Sequence, residues 1–188
     1  MRRARVDGRA VEREWVEVLR RRGVNVIPLF DFLRNNDATT APMLSGVAGL
    51  TVLPDCLAFA GASRPQMWTE VKAKHEPGHR RDRGRWEHGC DFRKWEEYRE
   101  IARLTPGWDF YIVVWERLSP APGRQLVERP GGTWLYGKFR ELNSKGTFEG
   151  GWPDSARAKQ TRGGWLWPRC AMDELRPQLA FPGVTDGL

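Results

Sequence analysis

Residues 54–74 read PDCLAFAGASRPQMWTEVKAK, and the fold turns on this stretch. The apolar run from Leu50 to Ala60 predicts a strand, with Pro54 near its start or on an edge because proline gives a ladder no donor. Gly61 to Gln66 predicts a turn, and Met67 to Lys74 predicts the returning strand of a hairpin. Asp55 lies six residues before Gly61, and Lys72 six residues after Gln66. Register symmetry about the turn therefore sets Asp55 beside Glu70 and Lys72, within about one residue. Strand alternation puts Glu70 and Lys72 on one face and Val71 on the other.

On the N-terminal side, residues 7–22 predict a helix, opened by Asp7 as N-cap and closed by Gly23. At about 100° per residue, its apolar arc runs from Val18 through Val11, Trp15 and Leu19 to Val16. Glu12 falls inside that arc, whereas Glu14 and Glu17 fall outside it. A carboxylate on a buried stripe is costly unless something binds it. Val24 to Phe30 predicts a short strand, and the polar, glycine-containing stretch from Arg34 to Gly49 predicts a mobile loop.

On the C-terminal side, residues 75–90 (HEPGHRRDRGRWEHGC) are dense in Arg, Gly and His without periodicity and predict a flexible basic loop. A helix over Asp91 to Leu104 follows, with Phe92, Trp95, Tyr98 or Ile101, and Ala102 on its apolar side, ended by Thr105-Pro106-Gly107. Trp108 to Trp115 (WDFYIVVW) has the continuous apolar character of a central strand. Beyond Glu116, Pro- and Gly-punctuated runs at 125–128, 133–142 and 164–168 predict extra strands or a β-rich flap, and residues 180–188 a loose tail. The expected class is α/β. A mixed central sheet is flanked by helices 7–22 and 91–104, with residues 1–117 as the core and 118–188 as a β-rich elaboration packed on it.

Composition narrows the partners. A chain of 188 residues with 40% hydrophobic content buries one good core. Lys and Arg number 31 against 24 Asp and Glu, a formal charge of +7, which favours a polyanion, because neutralised phosphates release counterions. Three scattered cysteines do not make a disulfide framework. No apolar h-region or membrane-length run is present, so a soluble cytoplasmic protein is expected. The ten tryptophans serve core packing and base stacking equally well.

Two carboxylates and an ammonium converging at a sheet end make chemical sense in a phosphodiesterase. Hard oxygen ligands hold Mg²⁺ or Mn²⁺, the ion polarises the phosphoryl group and lowers the pKa of a water, and the lysine orients or deprotonates that water. Glu12 could complete the set. The bland alternative is that Asp55 ends a turn and that Glu70 and Lys72 form an ion-pair ladder on an exposed face.

Taken in order, AVEREWVEVLRRRG, PDCLAFA and WTEVKAK resemble the PD-(D/E)XK nuclease superfamily, most closely its archaeal Holliday-junction resolvase-like branch. The resemblance covers residues 8–115. It implies a restriction-endonuclease-like core and a DNA nuclease, with Asp55 and Glu70 as metal ligands, Lys72 as the catalytic lysine and Glu12 as the helix-one acid. A role in recombination or repair, and a homodimer for paired incisions, go with that branch. The region 116–188 has no counterpart in it.

Further candidates surround this set. Lys74 repeats the parity of Lys72 and could contact phosphate, as could Arg80, Arg81, Arg83 and Arg85 in the basic stretch. Lys94 and Tyr98 stand at i, i+4 on one helix face, with Tyr98 read as a core residue before a site residue. Trp134, Tyr136, Lys138 and Arg140 share a parity that could grip a strand of DNA or cover the core. His75, His79, His88 and Cys90 could ligate zinc, which leaves a zinc-organised module and a non-catalytic DNA-binding protein as alternative readings.

Overall fold

A computed structural model describes residues 7–29, 31, 43–46, 49–59, 66–122, 125–152 and 162–175. The expected tail at 180–188, most of the predicted turn at 61–66 and most of the predicted loop at 34–49 lie outside these residues.

The first helix, α1 (Gly8–Arg21), follows its sequence signals closely. Asp7 accepts a hydrogen bond from the Arg9 N–H at 3.1 Å, and Gly23 turns the chain with φ 72°. Val11, Trp15, Val16 and Leu19 are buried, as the apolar arc predicts. The strands that follow are β1 (Asn25–Pro28), β2 (Met43–Gly46), β3 (Gly49–Val52), β4 (Cys56–Phe59) and β5 (Gln66–Lys74). Then come β6 (Gly78–Arg80), β7 (Arg85–Asp91), α2 (Phe92–Leu104), β8 (Asp109–Pro120) and β9 (Leu126–Lys138). The chain continues through α3 (Phe139–Lys145), β10 (Thr147–Trp152), β11 (Arg162–Pro168), a 3₁₀ turn at Arg169–Ala171 and β12 (Asp173–Glu174).

A six-stranded sheet ordered β1-β4-β5-β8-β9-β12 forms the centre. It is mixed: β5 runs parallel to β8, with Glu70 beside Ile112 and Lys72 beside Val114, and the other pairs are antiparallel. The parallel step follows from α2, which crosses between β5 and β8. Alternation in β5 and β8 builds two cores. Met67, Val71, Tyr111 and Val113 pack against α1, while Trp68, Phe110, Ile112 and Val114 pack with Trp95, Tyr98 and Ile101 of α2 and Phe139 and Leu142 of α3. Trp95 is fully buried and stacks on Trp165 and Trp167 at centroid distances of 5.8 and 5.1 Å. Among the described residues no helix is long and apolar enough to cross a membrane.

Three expectations need correction. The stretch 75–90 is not a loop: β6 and β7 form a hairpin that joins β11 and β10 in a second, four-stranded sheet ordered β10-β11-β7-β6. Its ladder partners come from far along the chain, Cys90 pairing with Trp165 and His88 with Trp167, so no local period announces it. The described part of 34–49, together with Leu50 to Val52, forms the β2–β3 hairpin, and the single strand predicted for 50–60 is broken at Pro54-Asp55 into β3 and β4. The run 133–142 leaves the sheet at Lys138, because Phe139 and Leu142 stand at helical spacing and bury themselves as α3. Position 117 lies within β8, and among the described residues beyond it β9 and β12 lie in the central sheet and β10 and β11 in the second.

Replacing Trp95 with Ala removes the ring shared by α2, α3 and β11. We expect a loss of about 3–5 kcal/mol, read as a lower midpoint in urea unfolding.

Candidate active site

The hairpin predicted from residues 54–74 forms in the expected register. β4 pairs with β5 through Cys56 opposite Thr69, so the next step of the ladder brings Asp55 to Glu70. Asp55 Oδ2 accepts a hydrogen bond from the Val71 N–H at 2.7 Å, which caps the ladder where β4 begins. One residue earlier on β5, Thr69 Oγ1 accepts the Trp15 indole N–H at 3.1 Å and ties α1 to the same strand.

Glu70 is 4% exposed. Its Oε1 accepts from Lys72 Nζ and from the Tyr98 hydroxyl, each at 2.5 Å. Tyr98 is thus both a core residue and a partner of the site. The Lys72 and Lys94 ammoniums lie 5.7 and 5.6 Å from the Tyr98 ring centroid, within cation–π range. Lys94 also pairs with Glu97 at 2.9 Å.

The charges in this cluster strain one another. Burial, followed by the Glu70 charge, pushes Asp55 up to about 8. Burial and then Glu70 also raise Glu12, so helix one brings its inward acid into the field of the pair. For Lys72 burial works against the ammonium, but Glu70 and Asp55 outweigh it and the net shift is upward. Burial raises Tyr98 well above its ordinary value, with Glu70 adding to it, so its hydroxyl stays a donor.

Whether these residues fit a divalent cation is a question of donor chemistry. Among the described residues no three His, Cys, Asp or Glu side chains are gathered as a ready metal cage; Glu70 Oε1 is taken by Lys72 and Tyr98 instead. The donors are nevertheless hard carboxylate oxygens on three segments, and burial followed by the Glu70 charge raises both Asp55 and Glu12. The bonds named above use one oxygen of Asp55 and one of Glu70, leaving Oδ1 and Oε2 for a ligand. This set fits Mg²⁺ or Mn²⁺.

The other candidates separate. Lys74 follows Lys72 on β5 and has no ion pair among the described residues. Burial, then the Lys72 charge, lowers its pKa. Arg80 pairs with Glu149 and Asp82, Arg83 with Glu87 and Thr147, and Arg85 with Glu87 at 2.8 Å; Arg81 is exposed. Trp134 packs on Trp15 at 5.3 Å and Tyr136 on Tyr111 at 6.3 Å, so this aromatic face covers the core. Lys138 pairs with Asp109, and Arg140 stands on α3 and not in the strand. His75, His79, His88 and Cys90 form no ligand set: His79 packs edge-on against Trp86, and burial raises the Cys90 thiol to about 12.

A second buried cluster went unnoticed in the sequence. Glu116, fully buried on β8, accepts from Arg169 Nε and Nη2 at 2.8 Å each and from Ser119 Oγ at 3.0 Å. His88 Nε2 stands 2.5 Å from Glu116 Oε1. Burial keeps His88 below its usual pKa, and the Arg169 guanidinium already balances the carboxylate, so a neutral imidazole donates its N–H. Although burial opposes it, the bonds from His88 and Arg169 hold Glu116 below the usual carboxylate range. The cue was a carboxylate directly after the apolar run WDFYIVVW, at the end of a strand predicted to be central.

The chain matches no family model and no curated protein in comparisons with known proteins.

These shifts give opposite pH dependences to the cation-free protein. Asp55 ionises near 3.8 when unfolded and near 8 when folded, so its contribution to stability falls as pH rises across that window. His88 takes a proton near 6.5 when unfolded and at a lower pH when folded, so stability also falls as pH drops below that value. Thermal unfolding from pH 5 to 9 in EDTA should therefore give a Tm curve that is nearly level below about pH 6.5, where the two effects offset, and that declines on its alkaline side up to about pH 8. Asp55→Asn should flatten its alkaline side, and Mg²⁺ should raise the parental Tm more than the variant's. Glu116→Gln should cost about 3–5 kcal/mol at pH 7, as for other broken buried pairs.

Proposed function

We propose that the protein is a Mg²⁺- or Mn²⁺-dependent deoxyribonuclease that hydrolyses phosphodiester bonds at the β4–β5 end of the central sheet. The observation that carries this reading is the pairing register that sets Asp55 against Glu70, with Lys72 on the Glu70 face and Glu12 close enough to feel both the Glu70 and the Lys72 charge. The mixed α/β sheet and the net charge of +7 agree with it.

When bound, the divalent ion would polarise the scissile phosphoryl group and make a water acidic enough to attack. Asp55 and Glu70 would hold it, and Glu12 would do so directly or through water. Lys72, steered by Glu70, stands where it can orient the attacking water and offset charge on the phosphate. Tyr98 fixes the Glu70 carboxylate by donating to Oε1, so Glu70 is held by α2 as well as by its own strand. Lys94, on the same helix face, adds a cation beside the ring.

Cleavage of junction, flap, linear and circular DNAs in Mg²⁺ and in EDTA tests the assignment. We expect cutting with Mg²⁺ and none with EDTA. Asp55→Asn, Glu70→Gln and Lys72→Ala should each abolish cleavage in the folded fraction while DNA binding persists, with Lys72→Ala also lowering stability because it leaves buried Glu70 without its cation, and Glu12→Gln should cost less. Parental cleavage rates in any of the first three variants would remove the role assigned to that residue.

A further inference from the structure

On the β5 side of the second sheet lies a cavity of about 270 Å³, lined in part by Lys74, Glu76, Arg80, Glu87, His88 and Glu149. Its charges are unevenly matched. Arg80 pairs with Glu149, Glu87 is held by Arg83 and Arg85, and Glu76 stands 3.7 Å from His75. His88 is committed to Glu116 through Nε2. Lys74 is the one lining cation without an ion pair among the described residues, although it is largely desolvated. A half-buried ammonium with no counterion is costly, and an anion entering the cavity relieves that cost.

Position adds to chemistry. Lys72 and Lys74 stand two residues apart on the same face of β5, about 6.6 Å along the strand. That step is comparable to one nucleotide of a DNA backbone. A strand whose scissile phosphate lies at Lys72 would carry its neighbouring phosphate to Lys74 and the mouth of this cavity.

We propose that the cavity is a phosphate subsite, in which Lys74 receives the backbone phosphate one nucleotide away from the bond addressed by Lys72. The subsite rests on the nuclease reading for its place along the substrate, but not for its chemistry. The β6–β7 hairpin then has a purpose: it walls a pocket that fixes the DNA in register relative to the acids. The ion-paired arginines shape the wall, and Lys74 makes the contact.

Two measurements test the subsite apart from the nuclease. First, the parental protein should bind thymidine 5′-monophosphate more tightly than thymidine in calorimetric titrations, with inorganic phosphate competing. Lys74→Ala should erase the preference and Lys74→Arg should restore it. Equal binding of the two ligands by the parental protein, or a preference that survives Lys74→Ala, overturns the subsite even if the enzyme cuts DNA. Second, DNA affinity in EDTA should fall about tenfold in Lys74→Ala, and the salt dependence of log K should flatten by about 0.9, the share of one phosphate contact. In cleavage assays the same variant should raise KM with little change in kcat. A parental slope in Lys74→Ala also overturns it, whereas a parental protein that prefers the monophosphate yet cuts no DNA sinks only the nuclease reading.

Discussion

The register between β4 and β5 is the constraint on which the rest depends. Side chains alternate along a strand, so a slip of one residue would send Glu70 and Lys72 to the α1 side and Val71 to the α2 side. Three features hold the register. Cys56 and Ala58 bury themselves against α1, Thr69 binds the Trp15 indole, and Asp55 closes the ladder on the Val71 N–H. The first two belong to ordinary packing, and the third draws a carboxylate of the site into the backbone network. Here the residue that helps position the hairpin is also one that we propose holds the cation.

Around this register the fold sets opposed electrostatic demands. On the α2 face, Glu70 is drawn toward Lys72 and Tyr98, which lowers the cost of burying it but also occupies one of its oxygens. For Asp55 burial and the Glu70 charge outweigh the Lys72 ammonium and the Val71 amide, which pushes its pKa up to about 8. The second buried carboxylate, Glu116, resolves the same problem differently: Arg169, His88 and Ser119 satisfy it fully. One acid is thus a structural tie joining β7, β8 and the 3₁₀ turn. The other is left with burial and a neighbouring acid working against its charge, which is what a bound cation would offset under the proposed function.

The second sheet changes what the basic stretch means. In sequence, Arg80, Arg83 and Arg85 look like free phosphate ligands. Folded, they answer Glu149, Glu87 and Asp82 within the protein. Charge density along a chain says little about which cations remain uncommitted, because partners such as Glu149 arrive from a strand many residues later. Lys74, a less conspicuous residue, is left without a counterion among the described residues, since burial beside Lys72 and Cys90 gives it none.

What the sequence determined by itself was everything governed by a local period. The α1 stripe with Glu12 inside it, the cap at Asp7, the hairpin that aligns Asp55 with Glu70 and Lys72, the α2 face and the apolar β8 all follow from spacing, because helices and hairpins close over a few residues. Tertiary structure decided what depends on distant partners: the pairing of β7 with β11, the turn of Phe139 and Leu142 into a helix, the Tyr98 bond to Glu70 and the union of His88, Glu116 and Arg169. Those contacts join segments as much as 81 residues apart, as where Glu87 pairs with Pro168, and the energy of burying a polar group is settled by the partners that the chain reaches after folding.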